Sequence, residues 1–290
     1  MDLGSLIRFT VITGASTGIG AACALGCAKH GMTVFAGVRH LEAGEALRRE
    51  GGKGIVPLQL DVTDAGSIRR AAGIVGEAVG QSGLSGLVNN AGIAIGSPLE
   101  VIPIEALRKQ LEVNVIGQIA VTQAFLPLLR AARGRIVNMG SIAGRGTMPV
   151  MGPYSASKYA LESLTDALRL ELQGWGIQVS IIEPGAIATP IWEKSLHAGD
   201  EIAESAGAEA HALYGELVER VKEAVNQAAR RAIPPEPVVQ AVLHALTAAR
   251  PKTRYLVGTD ANIRALMVKW LPDRVQDWIL TKVLKLPSRA

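Results

Sequence analysis

The sequence predicts an α/β fold: a doubly wound parallel sheet of about seven strands with helices on both faces. Three observations carry this. Short apolar runs alternate with longer stretches that read as helices through most of the 290 residues. The first apolar run leads into a glycine-rich turn and then an alanine-rich stretch without proline, which is a strand, a tight loop and a helix start. Neither an internal repeat nor a linker interrupts this order, so residues 1–290 are expected to form one domain.

The first strand is the run 9–12 and the first helix covers 21–30, with Thr13-Gly14-Ala15-Ser16-Thr17-Gly18-Ile19-Gly20 between them. Gly14 lets the chain turn as it leaves the strand. Gly18 removes a side chain where a pyrophosphate would approach the helix N-terminus, whose free N–H groups favour anions. Gly20 is expected to let the helix pack closely on the sheet. This is the layout of a dinucleotide phosphate site in a Rossmann-type sheet, although the spacing is G-x-x-x-G-x-G and not G-x-G-x-x-G. A glycine-rich turn without a ligand is the competing reading of this stretch alone.

Strand two, 32–38, is followed by Arg39 and a helix over 41–50. An acid at this strand end would bond ribose hydroxyls, whereas an arginine accommodates a 2′-phosphate. Arg39 therefore points to NADP(H), with NAD(H) the lesser alternative and a solvated surface charge the bland one. Strand three, 54–60, runs into Asp61-Val62-Thr63-Asp64. Asp61 lies at the carboxyl edge, where ligands of open parallel sheets gather, and Asp64 reads as the N-cap of a helix starting near Ala65. Strand four, 86–89, leads to Asn90-Ala91-Gly92, small enough for close approach to a flat ring, or simply a turn.

A helix is expected over 103–115, interrupted or tightly packed at Gly117 and resumed to 131. Asn114 lies inside it, where an amide is mildly unfavourable, so it is either a surface residue or has a polar task. Strand five, 134–139, delivers Ser141 to its carboxyl end. The helix 154–171 carries Tyr154 and Lys158 at i, i+4, on one face. Strand six, 177–182, precedes Glu183-Pro184-Gly185. Residues 189–233 read as a helical lid whose Ile191, Trp192, Leu196, Leu213, Tyr214 and Leu217 offer an apolar wall. A helix over 238–249 and a short strand at 255–258 follow. The stretch 262–290 is a C-terminal extension that Pro272 splits into two short helices. Packing over the cleft or against another subunit is its leading reading, and peripheral membrane contact the lesser one.

Hydrophobic content of 48% with 19% charged residues fits a folded enzyme and excludes a disordered chain. A net charge of +4 without a Lys/Arg block gives a nucleic-acid partner little support. Cys23 and Cys27 read as small thiols packing on the sheet, and no metal site is expected. No leader pattern is visible, and no uninterrupted apolar run reaches the roughly 20 residues of a membrane span, so a cytoplasmic location is the expectation.

The set TGASTGIG (13–20), NNAG (89–92), the Asn114 helix, Ser141, Tyr154-x-x-x-Lys158 and Pro184-Gly185 resembles, in order and spacing over residues 9–260, the short-chain dehydrogenases/reductases that use an Asn-Ser-Tyr-Lys tetrad. The segments GRIVNMGSIAG and SIIEPGAIATPI are most similar to the retinol and hydroxysteroid dehydrogenase group. The resemblance implies hydride transfer between a nicotinamide and a small hydrophobic alcohol or carbonyl compound that is steroid-, retinoid- or lipid-like. Such a transfer needs a proton donor for the developing alkoxide. Tyrosine has a reference pKa of about 10, and the Lys158 ammonium is expected to lower that of Tyr154. Ser141 would orient the substrate oxygen. The resemblance further implies that Lys158 holds the nicotinamide ribose and that Asn114 holds a water for proton relay. It places cofactor contacts at Gly14, Ser16, Thr17, Gly18, Ile19 and Gly20, at Arg39, Asp61 and Val62, and at Asn90, Ala91 and Gly92. Tyr154 and Lys158 join them, with Pro184, Gly185, Ile187 and Thr189; the last two would bond the nicotinamide carboxamide. Helices 104–131 and 154–173 resemble those that pair subunits, implying a homodimer or homotetramer. The alternatives are a ketoacyl-type reductase and a non-catalytic nucleotide sensor on the same fold.

Overall fold

A sheet covered on both faces needs apolar side chains on both sides of its strands, and adjacent residues here supply them. In a computed structural model, which describes residues 9–286, seven strands form one parallel sheet. They are β1 (Phe9–Thr13), β2 (Thr33–Val38), β3 (Ile55–Gln59), β4 (Gly86–Asn89), β5 (Arg135–Met139), β6 (Gln178–Pro184) and β7 (Arg254–Val257), in the order β3-β2-β1-β4-β5-β6-β7. Ile12, Val34, Val88 and Val137 face one core with Cys23, Cys27, Val242 and Leu246. Their neighbours Val11, Phe35, Leu87 and Ile136 face the other, with Val75, Phe125 and Leu129. Burial pushes both thiols up, Cys27 to about 12, so they pack as apolar groups.

The first face is covered by α1 (Gly18–Lys29), α2 (Leu41–Gly51) and α9 (Glu236–Thr247), and the second by α3 (Ala65–Val79), α5 (Gly117–Ala132) and α6 (Gly152–Glu171). Asp64 caps α3 as expected, its carboxylate accepting from the Gly66 N–H at 2.7 Å. Strand β6 runs past 182 to Pro184 because Ile182, Glu183 and Pro184 pair with Tyr255, Leu256 and Val257. The chain reverses its winding between β1 and β4, so their carboxyl ends open the crevice where ligands of this architecture bind.

Helix α4 (Ile104–Leu111) continues through one π turn at Glu112–Ile116 into α5. The whole helix, Ile104–Ala132, is long and apolar enough to cross a membrane, with mean hydropathy 1.4. An uninterrupted-run criterion misses it because Gln118 and Thr122 punctuate the apolar residues. In this fold the helix covers the sheet, and it buries Gln110, Asn114 and Gln118 against the crevice loops.

Between β6 and β7 the chain inserts α7 (Ile191–Ser205) and α8 (Gly207–Arg230). With Gly96–Pro98 and Val150–Met151 these helices enclose a cavity of about 370 Å³. Leu196 and Tyr214 line it, whereas Ile191, Trp192, Leu213 and Leu217 of the expected wall do not. The Trp192 indole is instead turned back onto the Ile187 carbonyl, at 2.7 Å. The C-terminal extension forms α10 (Thr259–Trp270) and α11 (Asp273–Val283), and its residues 287–290 lie outside the described residues. Arg264 of α10 donates to the Thr147 carbonyl at 2.8 Å, which seats α10 on the loop after β5. Its opposite face leaves Ile263, Leu266 and Trp270 exposed.

Candidate active site

The glycine turn is built by contacts that admit no side chain. Gly14 sits at φ +64°, and a Cβ there would stand 2.8 Å from Ala91 Cα. A Cβ on Gly20 would lie 2.3 Å from the Gly14 carbonyl oxygen, so Gly20 packs α1 against the turn and not, as expected, against the sheet. Thr17 precedes α1 in extended conformation without a side-chain cap, and the first turn of α1 carries no acid. The N–H groups of that turn, with Ser16, Gly18 and Ile19 around them, could hold a phosphate.

Thr13 holds this turn to the loop after β4. Its hydroxyl oxygen accepts from the Asn90 and Ala91 N–H groups, each at 2.9 Å. The Asn90 amide donates to the Thr13 and Gly14 carbonyls at 3.0 and 3.2 Å. Asn89 points into the protein, donating to Thr122 at 2.8 Å and to Asn138 at 2.9 Å. Asn90, Ala91 and Gly92 thus border the crevice, and Asn89 does not.

Asn114 has the polar task its position implied. Its Oδ1 accepts from the Ile93 N–H at 2.8 Å, and its Nδ2 donates to the Ile93 carbonyl at 2.9 Å and to Ser157 Oγ at 3.0 Å. Ser157 in turn donates to the Tyr154 carbonyl at 2.6 Å. Both amide hydrogens are therefore engaged, and the side chain can reach a relay water only through the remaining lone pair of Oδ1. The π turn around Asn114 widens the helix at this point.

Ser141, at the carboxyl end of β5, accepts from the Ala143 N–H at 3.1 Å and lies beside the Tyr154 hydroxyl, whose pKa it lowers. Lys158 is buried, its Nζ lying 5.7 Å from the centre of the Tyr154 ring and donating to the Met139 carbonyl at 2.7 Å. The i, i+4 spacing puts Tyr154 and Lys158 together, and the end of β5 brings Ser141 to them. The expected electrostatics differ. Burial pushes the Tyr154 phenol up, only partly countered by Ser141, and burial pulls Lys158 down to about 8. Desolvation is the largest influence on each because both groups have left water.

The segment after β6 crosses the mouth of the glycine turn. A Cβ on Gly18 would lie 3.2 Å from Thr189 Cβ, so Thr189 lies directly over the turn. The Ala186 N–H is taken by Asp260 at 2.7 Å and the Ala188 N–H by the Ile233 carbonyl at 2.9 Å. That alternation turns the Ile187 N–H to the other side of the strand-like segment. A Cβ on Gly185, just after Pro184, would meet the Asp260 carboxylate at 2.2 Å. Arg39, at the end of β2, is exposed and makes no ion pair among the described residues. Asp61 folds its carboxylate onto Thr63, accepting from the N–H at 2.9 Å and the hydroxyl at 2.8 Å, while Val62 is buried beside Gly117.

Residues 8–200 match the family model described as short chain dehydrogenase. The chain belongs to the short-chain dehydrogenase family. It is 37% identical over 284 residues to the NADPH-dependent 3-dehydrocapnine reductase of Ornithobacterium rhinotracheale, covering 96% of this chain and 98% of that protein. It is also 37% identical to 17-beta-hydroxysteroid dehydrogenase type 6 of Bos taurus, covering 98% of this chain and 90% of the relative. It stands near the retinol and hydroxysteroid dehydrogenase group. A short chain dehydrogenase from Burkholderia cenocepacia J2315, solved in complex with NADP, superposes with TM-score 0.72 at 26% identity, over 97% of this chain and all of that one.

In this short-chain dehydrogenase several positioning residues escape a reading by motif: Thr13 as a double acceptor, Gln110, Gln118 and Ser157. Gln110 accepts from the Ile95 N–H at 2.7 Å, and Gln118 donates to the Ala91 carbonyl at 3.1 Å. The sequence did carry a signal for two of them. Gln110, Asn114 and Gln118 fall at i, i+4 and i+8, three amides on one helix face, which a solvent-facing or purely apolar helix would not need. Thr13→Val keeps the shape and leaves the Asn90 and Ala91 N–H groups unpaired. It is expected to lower unfolding free energy by about 2 kcal/mol, with Thr13→Ser close to wild type, as measured by urea denaturation.

Proposed function

We propose that this chain is an NADP(H)-dependent oxidoreductase that passes hydride between the nicotinamide and a hydrophobic alcohol, ketone or aldehyde. The carrying observation is the buried Tyr154 hydroxyl beside Ser141 with Lys158 set behind the phenol ring. The residues present fit a dinucleotide. The turn at Gly14 excludes side chains, the open N-terminus of α1 offers N–H donors, and Arg39 stands unpaired where a 2′-phosphate would lie. The same cofactor is in the names of the Ornithobacterium reductase and the Burkholderia complex.

When bound, the nicotinamide supplies or accepts the hydride. The chain's own residues handle the proton and the oxygen. Burial keeps Tyr154 protonated at neutral pH, so its hydroxyl stands ready to donate to a carbonyl oxygen. Ser141 holds that oxygen in line. Lys158 is mostly an ammonium at pH 7, since its pKa is about 8, and it stabilises the phenolate left behind. Asn114, through Ser157 and the Tyr154 carbonyl, holds the start of α6 against the loop at Ile93.

The cavity under α7 and α8, walled by Val101, Val150, Met151, Leu196, Ile202 and Val218, supports a lipid-, steroid- or retinoid-like substrate. We assign these helices the part of a substrate lid within a single domain. We further propose a homodimer or homotetramer, supported by exposed Ile104 and Ile116 on the α4–α5 helix, working in the cytoplasm. Light scattering is expected to give at least twice the monomer mass.

Tyr154→Phe is expected to retain NADPH binding and to lose turnover by a factor of about 10²–10⁴, the range for a positioned proton donor. Assays with NADPH against a panel of hydrophobic ketones and all-trans-retinal check this, and substantial residual activity would take the proton role from Tyr154. Arg39→Asp is expected to move the NADPH-over-NADH preference by about tenfold or more, since a charge-assisted bond is replaced by repulsion. The ratio of kcat/KM values for the two cofactors reads it directly.

A further inference from the structure

Helix α6 carries a third ionisable group on the face of Tyr154 and Lys158. Glu162 follows Lys158 by four residues, as Lys158 follows Tyr154. Its side chain is only 12% exposed, and its Oε2 accepts from Arg254 Nε at 3.2 Å. Its Oε1 is buried without a hydrogen-bond partner among the described residues. The surrounding charges come from every element packed there. From β6, Glu183 is fully buried and is held by Arg145, which follows the Ser141 turn, at 2.6 and 2.8 Å. From β7, Arg254 reaches Glu183 at 3.5 Å and Asp166 of α6 at 2.6 Å, and Asp166 also binds Arg169 at 2.9 Å. The turn carrying Ser141 lies against the same stretch: a Cβ on Gly144 would stand 3.0 Å from the Lys158 carbonyl oxygen and 3.2 Å from Glu162 Cγ.

A clamp that only joined α6 to β7 would need Asp166 and Arg254. Glu162 adds a buried carboxylate beside Glu183, a repulsive pair, with one oxygen left over. The gain lies one turn away. Lys158 donates to a neutral carbonyl and has no carboxylate within ion-pair distance among the described residues. Burial works against its charge, and Glu162 is the group that works for it.

We infer that Glu162 is a positioning residue for hydride transfer: its carboxylate keeps Lys158 an ammonium, and Arg145 and Arg254 keep that carboxylate ionised and in place. The inference rests on the roles given above to Tyr154 and Lys158. Glu162 is itself delicately set. Burial and Glu183 raise it to about 7, against Arg254 and Arg145, so its charge becomes complete as the pH rises toward the point at which Lys158 loses its proton.

The test is the titration of Lys158 in the full-length protein labelled with [ε-¹³C]lysine, its signal assigned by its loss in Lys158→Met. In wild type the midpoint is expected at about 8. In Glu162→Gln it is expected to fall by about one pH unit, the effect of removing one nearby opposite charge. Glu162→Asp should restore most of the difference. Arg254→Gln, which lets Glu162 take up a proton more readily, should move the midpoint the same way and serves if Glu162→Gln does not fold. The alkaline limb of kcat/KM for reduction of all-trans-retinal should follow the midpoint downward, whereas a merely structural defect would lower the rate equally at every pH. A Lys158 midpoint that stays in place in a folded variant overturns the inference and leaves the tetrad reading intact. Full turnover by Tyr154→Phe would instead remove that reading.

Discussion

Backbone that leaves a parallel sheet at its carboxyl edge loses its ladder partners, and here side-chain amides and hydroxyls replace them. The Thr13 hydroxyl takes two N–H groups of the next loop, and Asn90 returns two bonds to the glycine turn. Asn114 closes both backbone groups of Ile93, and Gln110 and Gln118 do the same work on either side. The crevice between β1 and β4 therefore has fixed walls without secondary structure of its own. Everything chemical is mounted on those walls. The Asn114–Ser157–Tyr154 chain ties the loop to the start of α6, so the phenol inherits its position from the same set of bonds.

Burial then sets the charges. A phenol and an amine placed in the same dry site both drift toward their neutral forms, Tyr154 upward and Lys158 downward. In the proposed transfer that is useful for the phenol, since a neutral hydroxyl is the form that gives up a proton to a carbonyl oxygen. For the lysine it is a cost, because a neutral amine cannot steady the phenolate. The cluster of Glu162, Glu183, Arg145 and Arg254, to which we assign the offsetting of that cost, joins the Ser141 turn, α6, β6 and β7. Position and charge state are thus governed by one contiguous piece of structure.

Much of this was legible in the residues. Apolar runs alternating with helical stretches announced a sheet covered on both sides, and the two cores divide adjacent residues such as Val11-Ile12 and Leu87-Val88 between them. The i, i+4 spacing of Tyr154 and Lys158 placed them together because helical geometry needs no tertiary information. Asn114 was marked by its discomfort in a helix interior. Thr13 was not marked, because a threonine at a strand end has many ordinary uses, and only the approach of the β4 loop makes it a double acceptor. Trp192 and Leu217 were expected at the substrate wall from polarity alone, and the rotation of the lid helices sent them elsewhere.

The sequence by itself determined what repeats along the chain: the strand–helix alternation, the side-chain-free glycine turn and the shared face of the tetrad helix. These are local, since each depends on backbone geometry within a few residues. Tertiary structure alone decided the direction of the pKa shifts, the partners of Asn114 and the company of Glu162. Those depend on how much water is excluded and on which groups arrive from segments 21 to 92 residues away, and no pattern within one segment carries that information.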